Sequence, residues 1–432
     1  MNTLIKNATI VTMDEDNKVI QNGYITIVDD KITYVGKSLP EDFLPRVIID
    51  GKHKAVLPGL VNAHTHTPMV LLRSYADDLP LQEWLFDKIF PIEDQFTAED
   101  VYWASMLAVM EMLKSGTTCF ADMYFFMEEI AKVVSKTGIR ANLSRGLQCF
   151  DTDFDPKQDR RLLENEQLFK DWDGEGNGRI KIALGPHSVY TCVAGYIEAT
   201  VELAQRLGAG IHIHISETLK ENQECLNKYG KTPIRHLYDL GVFNMHTIGA
   251  HCVHLSDEDM DILKENNVNV VYNPTSNLKL ASGITPVKRM MDKGINIALG
   301  TDGASSNNNL NMFEEMHLAA LISKGVEGEP TLIRAYDALK MATINGAKAL
   351  GIDHEVGVIK PGMKADLAIV NLNKPHFYPM HNVMANLTYS AQAADIETVL
   401  VDGKILMEKG EFKTIDAEEV IYNIKKISER IF

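Results

Sequence analysis

Apolar residues in the first 58 positions fall in short β-rich runs, LIKNATIVT and YITIVDDKITYVG, the second divided at Asp29-Asp30 as a hairpin would be. Residues 355–432 return to that texture with ADLAIVNL and TVLVDGKILMEKGEF, which turns at Asp402-Gly403. Between these flanks the pattern changes, and short apolar runs alternate with longer helical stretches. The runs predict eight strands, at 59–66, 116–123, 140–147, 180–187, 210–217, 247–254, 268–274 and 295–302. A helix is predicted from about Ala98 to Lys114, with Thr97 and Asp100 spaced as a capping box and Gly116 just beyond its end. Near-continuous apolar strands are what a parallel sheet covered on both faces requires. Eight of them with intervening helices fit a (β/α)8 barrel better than an open sheet. Neither flank can form a stable sandwich alone. Residues 1–58 and 355–432 are therefore expected to pair into one small β-sandwich beside a barrel of residues 59–354. The polar stretch 151–179, with nine acids against five bases, reads as an elaborated loop and helix after the third strand.

Composition narrows the function. The 432 residues, 45% apolar and 24% charged, belong to a globular protein with ample material for a core. A net charge of -16 excludes nucleic acid and anionic membrane as partners, because both demand a basic face. No run approaches the roughly 18 apolar residues of a membrane span. The N-terminus MNTLIKNATIV lacks the basic and apolar regions of a signal peptide. The five cysteines (Cys119, Cys149, Cys192, Cys225, Cys252) form no CxxC, so reduced thiols and a cytoplasmic location are expected.

Candidate chemistry gathers at the predicted strand ends, where a barrel enzyme carries its reactive groups. His64-Thr65-His66 closes the first strand, and residues two apart face one side, so both imidazoles can reach one ion. A lone HxH is weak, but the other ends agree. Strand five closes with His214 and Glu217, strand six carries His251 and His254, and strand eight closes with Asp302. Three imidazoles and a carboxylate on one rim suit a hydrolytic zinc site with room for water. His212 shares the face of His214 but lies deeper, where a hydrogen-bonded barrel histidine is the simpler reading; His254 is read the same way.

The motifs PGLVNAHTHTPM, HISET, GAHCVH, NPTSNLKL and LGTDGASSNNNLNMFEEM resemble the amidohydrolase superfamily, and within it the methylthioadenosine/S-adenosylhomocysteine deaminases. The likeness spans nearly the whole chain. It implies one zinc per subunit held by His64, His66, His214 and Asp302, with Glu217, His251 and Asp302 catalytic. Tyr272 stands where many relatives have histidine, a departure at a position that is not a ligand in this group. The fourth strand ends in Gly185-Pro186-His187 without the lysine that bridges two metals in binuclear relatives, so one metal is expected. The HxE…PCxxC signature of deaminases that flip bases out of nucleic acid is absent, consistent with a free nucleoside substrate.

The resemblance also implies substrate contacts from Trp84, Glu93, Arg145, Arg161, His187, Glu217, Asp302 and Ser306. It puts Glu93 on the ribose hydroxyls, and Arg145, Arg161 and His187 on the amino-acid carboxylate of S-adenosylhomocysteine, where arginine's planar fork pairs well. Without it, Glu93 reads as a helix-end acid and Arg161 as a solvated helix residue near Glu164. Two other functions share the scaffold: a guanine or triazine-type aminohydrolase, which would need neither arginine, and a non-catalytic scaffold protein, which would have lost ligands. A homo-oligomer is expected, with the number of subunits not legible.

Overall fold

The computed structural model describes residues 2–16 and 18–432. Eight parallel strands run in sequence order around a barrel: β1 (Leu60–Thr65), β2 (Thr117–Tyr124), β3 (Arg140–Leu147), β4 (Ile180–Pro186), β5 (Gly210–Ile215), β6 (Thr247–His251), β7 (Asn269–Tyr272) and β8 (Ile297–Leu299). Helices connect them on the outside, and all residues of β1, β2, β6, β7 and β8 are buried. Helix Ala98–Lys114 carries the expected capping box, with Asp100 N donating to Thr97 Oγ1 at 3.3 Å and Thr97 N donating to Asp100 Oδ2 at 2.7 Å. The stretch after β3 becomes a loop followed by helix Arg160–Trp172, capped by Asp159.

Six strands, β1 and β4 to β8, stop one to three residues sooner than the apolar runs suggested. β5 ends at Ile215, before Glu217, and β6 ends at His251, before His254. β8 ends at Leu299, before Asp302. The backbone turns into the left-handed region at Ser216 (φ 50°), His251 (φ 72°), Cys252 (φ 48°) and Asp302 (φ 61°), which breaks the ladder and aims the next side chains across the barrel mouth. The seam between β8 and β1 is closed partly by a side chain. Thr301 N donates to Asn62 Oδ1 at 3.0 Å, Asn62 Nδ2 donates to Thr301 Oγ1 at 2.7 Å, and Asp302 N donates to His64 O at 3.0 Å.

The two flanks share one nine-stranded mixed sheet among the described residues. Its halves join where Lys54–Pro58 pairs antiparallel with Leu367–Asn371, while also pairing parallel with Asn2–Val11. The C-terminal segment is not all sheet. Helix Val383–Tyr389 packs on barrel helices Met312–Glu327 and Ala335–Met341, and helix Ala417–Ile431 packs on Ala98–Lys114. Arg140, the first residue of β3, is fully buried between barrel and sheet, with Nε on Asp366 Oδ2 at 2.9 Å and Nη2 on Asp402 Oδ1 at 2.7 Å. No helix among the described residues is long and apolar enough to cross a membrane.

Candidate active site

Three imidazoles at the C-terminal mouth of the barrel have their protons fixed by neighbours. His66 Nδ1 lies 2.6 Å from Met123 O and His214 Nδ1 lies 2.9 Å from His187 O; a carbonyl only accepts, so each Nδ1 donates. Ser144 Oγ donates to Asp122 O at 2.8 Å and so accepts from His212 Nδ1 at 3.1 Å. His212 Nε2 is then an acceptor, and His64 Nδ1 donates to it at 2.8 Å. His212 is thus the hydrogen-bonded barrel residue that holds His64. In the neutral form of all three rings Nε2 is left as a lone pair.

Those lone pairs converge on a carboxylate. Asp302 Oδ1 lies 3.4 Å from His64 Nε2 and 3.2 Å from His66 Nε2, and His214 Nε2 lies 3.3 Å from His66 Nε2. His64 Nε2 is buried without a hydrogen-bond partner. Ligands about 2.0–2.1 Å from a tetrahedral ion stand about 3.3 Å apart, and a buried set of mutually facing lone pairs is repulsive without a cation. The group His64, His66, His214 and Asp302 therefore fits a metal ion. Burial pulls His64 down to about 4, favouring the neutral ring a metal needs. Against burial, which would raise it, contacts with His64 and His66 hold Asp302 well below the usual carboxylate range. Its second oxygen accepts from Ser276 Oγ at 2.6 Å and Ser306 Oγ at 2.9 Å. Ser306, expected on the substrate, is instead buried against Asp302, because the short helix Ala304–Asn307 turns its hydroxyl back onto that carboxylate.

Glu217 and His251 face each other across the same mouth, with Glu217 Oε2 and His251 Nε2 3.9 Å apart. Burial raises Glu217 above the ordinary carboxyl range. Ser282 Oγ donates to Oε1 at 3.1 Å, leaving Oε2 as the oxygen that faces His251. Glu221 holds the turn beneath it by accepting Glu217 N at 2.7 Å and Ser216 N at 3.0 Å. Asn277 fixes the histidine. Its Nδ2 donates to Thr285 Oγ1 at 3.1 Å, so its Oδ1 accepts from His251 Nδ1 at 2.9 Å, and the ring lines the cavity. Residues Ser276, Asn277, Ser282 and Glu221 carried no assigned role in the sequence reading; the polar tail following β7 was the signal that could have drawn attention to the first two.

A cavity of about 860 Å³ opens from this cluster. His66, His214, Glu217, His251 and Asp302 line it, together with Trp84, Glu93, Tyr124 and His187. Arg145 and Arg161 lie among its lining with Arg160 and Glu164. Glu93 is buried, accepts from the Tyr124 hydroxyl, and is raised by burial to about 7. His187 serves His214 through its carbonyl, while its Nδ1 sits 3.0 Å from Thr191 Oγ1. Arg145 is not free: its Nε donates to Glu164 Oε2 at 3.0 Å. His254, outside the site, contacts Ser282 O through Nε2 at 2.7 Å and so tethers the Glu217-binding loop.

A (β/α)8 barrel whose mouth holds three deprotonated imidazole nitrogens, a carboxylate and a buried glutamic acid defines a metal-dependent hydrolase. The model of the Amidohydrolase family matches residues 55–406, and the chain belongs to that family. It is 52% identical to the 5-methylthioadenosine/S-adenosylhomocysteine deaminase of Thermoanaerobacter pseudethanolicus, over 100% of this chain and 99% of the relative. It is 51% identical to the protein so described from Caldanaerobacter subterraneus subsp. tengcongensis, with the same coverage of both. An adenosine deaminase structure from Xanthomonas campestris with bound zinc superposes with a TM-score of 0.94 at 34% identity, over 99% of this chain and 98% of the other.

Proposed function

We propose that this chain deaminates 5-methylthioadenosine and S-adenosylhomocysteine to their inosine analogues with release of ammonia, using one zinc per subunit held by His64, His66, His214 and Asp302. The observation that carries the reading is the ligand set of three imidazoles and a carboxylate bordering a cavity that is also lined by Glu93, Arg145 and Arg161. Zinc supplies a water acidified to a pKa of about 7, a nucleophile at neutral pH. The protein's groups do the rest. Glu217, whose carboxyl burial raises above its ordinary range, gives a proton to the ring nitrogen beside the carbon under attack. His251, with Nδ1 tied to Asn277, presents Nε2 as an acceptor that orients the attacking water. Asp302 takes the water's proton and passes it to the departing amine, and Ser276 and Ser306 hold it in place.

Along the cavity, Glu93 accepts the ribose hydroxyls and Trp84 covers the nucleoside, while Arg145, Arg161 and His187 serve the amino-acid end. Five buried cysteines without disulfides fit a reducing compartment, so we place the enzyme in the cytoplasm, as an assembly of identical subunits. The deciding experiment is ammonia release by the zinc-loaded protein on 5-methylthioadenosine, S-adenosylhomocysteine, adenosine and guanine. Turnover of the two thioethers is expected; turnover of guanine alone would replace this reading with a guanine deaminase. Removing one charge-assisted pair costs roughly 1.5–3 kcal/mol, about 10- to 150-fold. Arg161→Met should lower the efficiency ratio of S-adenosylhomocysteine to 5-methylthioadenosine by that order, and an unchanged ratio would make Arg161 structural.

A further inference from the structure

Arg145, Arg160, Arg161 and Glu164 all belong to the lining of the cavity. Arg145 lies two residues before the end of β3, Arg160 and Arg161 begin helix Arg160–Trp172, and Glu164 follows one turn later. The Glu164 carboxylate is divided between two of the arginines: Oε2 accepts from Arg145 Nε at 3.0 Å and Oε1 from Arg160 Nε at 2.7 Å. The two pairs differ in kind. Arg145 is largely buried and also donates through Nη1 to Gly146 O, whereas Arg160 is exposed at the surface.

We propose that Glu164 is a specificity-determining residue, a built-in carboxylate that occupies Arg145 and so disfavours substrates carrying a carboxylate of their own relative to neutral nucleoside thioethers. The inference rests on the reading above, that Arg145 serves the end of the substrate remote from the base. A guanidinium offers a limited set of edges, and here Nε and Nη1 are already engaged. An incoming carboxylate must displace Glu164 or sit beside it on one cation, and either way meets a like charge that opposes it. Discrimination by a built-in repulsive element is a general route to specificity. With a neutral substrate no such conflict arises, and Glu164 keeps a largely buried cation from standing unpaired. Arg160 gives the displaced carboxylate a second partner at the surface, where an ion pair is weak and easily exchanged. Glu164 is half-buried on an exposed helix, so it has room to move toward that partner.

The test is a gain of function. Efficiencies (kcat/KM) on S-adenosylhomocysteine and 5-methylthioadenosine are measured for the zinc-loaded wild type, Glu164→Gln and Glu164→Ala. Two unit charges about 6 Å apart in a partly wet site interact enough to change binding by about 5- to 10-fold. The ratio of the two efficiencies should rise by that factor in both variants, through a lower KM for S-adenosylhomocysteine. Alanine is a strong helix former, so Glu164→Ala decides the matter if the glutamine variant folds poorly. The carboxamide of S-adenosylhomocysteine should show no gain, and an equal gain there would overturn the charge argument. A ratio that is flat or falls in both variants would also overturn the proposal, making Glu164 a support for Arg145. An inactive wild type would take down the proposed function and this inference together, which is distinct from a flat ratio in an active enzyme.

Discussion

Glu217 and Glu93 are both buried carboxyl groups raised above their ordinary range, yet their work requires opposite protonation states. Glu217 is useful as an acid, with Ser282 on Oε1 and the proton left to Oε2. Glutamine keeps the shape and loses the proton, so Glu217→Gln should lower kcat by roughly 10²–10⁴-fold with bound zinc retained, as metal analysis beside the assay will show. Glu93 is useful as a carboxylate, and burial sets it at about 7 even though the Tyr124 hydroxyl pulls it down. Below that value it is protonated and loses its charge as an acceptor, so KM for the nucleoside should rise as the pH falls through about 7. Removing the hydroxyl in Tyr124→Phe removes a contact that stabilises the charged form, and the limb of the KM profile should move to higher pH. A limb that stays in place would show that another group sets it. His64, His66, His214, Glu217, His251 and Asp302 were legible in the sequence because reactive residues at strand ends stand out against apolar runs. Ser306 was not legible in its actual place: its hydroxyl direction depends on a four-residue helix whose geometry no periodicity encodes.

Among the elements, strand existence was legible and strand ends were not. All eight apolar runs became strands, because a buried parallel strand must be apolar throughout. The predicted ranges nevertheless run past the ladder at β1 and at β4 to β8, since the polar residues that close them lie in the turns beyond the last ladder bond, and backbone angles rather than residue type mark where a strand ends. Asn62 shows what the pattern hides: it sits fully buried in an apolar strand, and its amide supplies the bonds that β8 lacks at the seam. Replacing it in Asn62→Ala leaves Thr301 N buried without a partner, at a cost of about 1–3 kcal/mol. Thr301 precedes Asp302, so the loosened seam should also weaken metal retention. The variant should therefore show a lower denaturation midpoint and faster loss of zinc to a chelator. Loss of stability with unchanged zinc retention would confine Asn62 to the fold.

At the scale of the molecule, one buried cluster ties the barrel to the terminal sheet. Arg140 opens β3 at the end of the barrel remote from the metal ligands and reaches Asp366 beside strand Leu367–Asn371 and Asp402 after strand Ile396–Val401. Arg179 adds a second contact to Asp402 at 3.4 Å, and Lys364 a third at 3.8 Å. The Asp402-Gly403 turn was read from sequence as a hairpin signal, and it is one; that its aspartate also anchors the barrel depends on a partner 262 residues away, which no local pattern can reveal. The aspartates draw Arg140 upward in pKa despite burial, so the guanidinium remains charged across the working range. A buried pair of this kind contributes little net stability compared with an apolar replacement of both partners, but removing one partner leaves uncompensated charge, typically at a cost of 3–5 kcal/mol. Arg140→Met should thus lower the unfolding free energy by about that amount in a denaturant titration, with the buried Asp366 stripped of its guanidinium and Asp402 held by Arg179 and Lys364 alone. Specific activity per folded molecule should be retained, because the ligand set lies at the opposite end of the strands. A parallel loss of kcat would mean instead that the sheet's docking is transmitted along the barrel to the site.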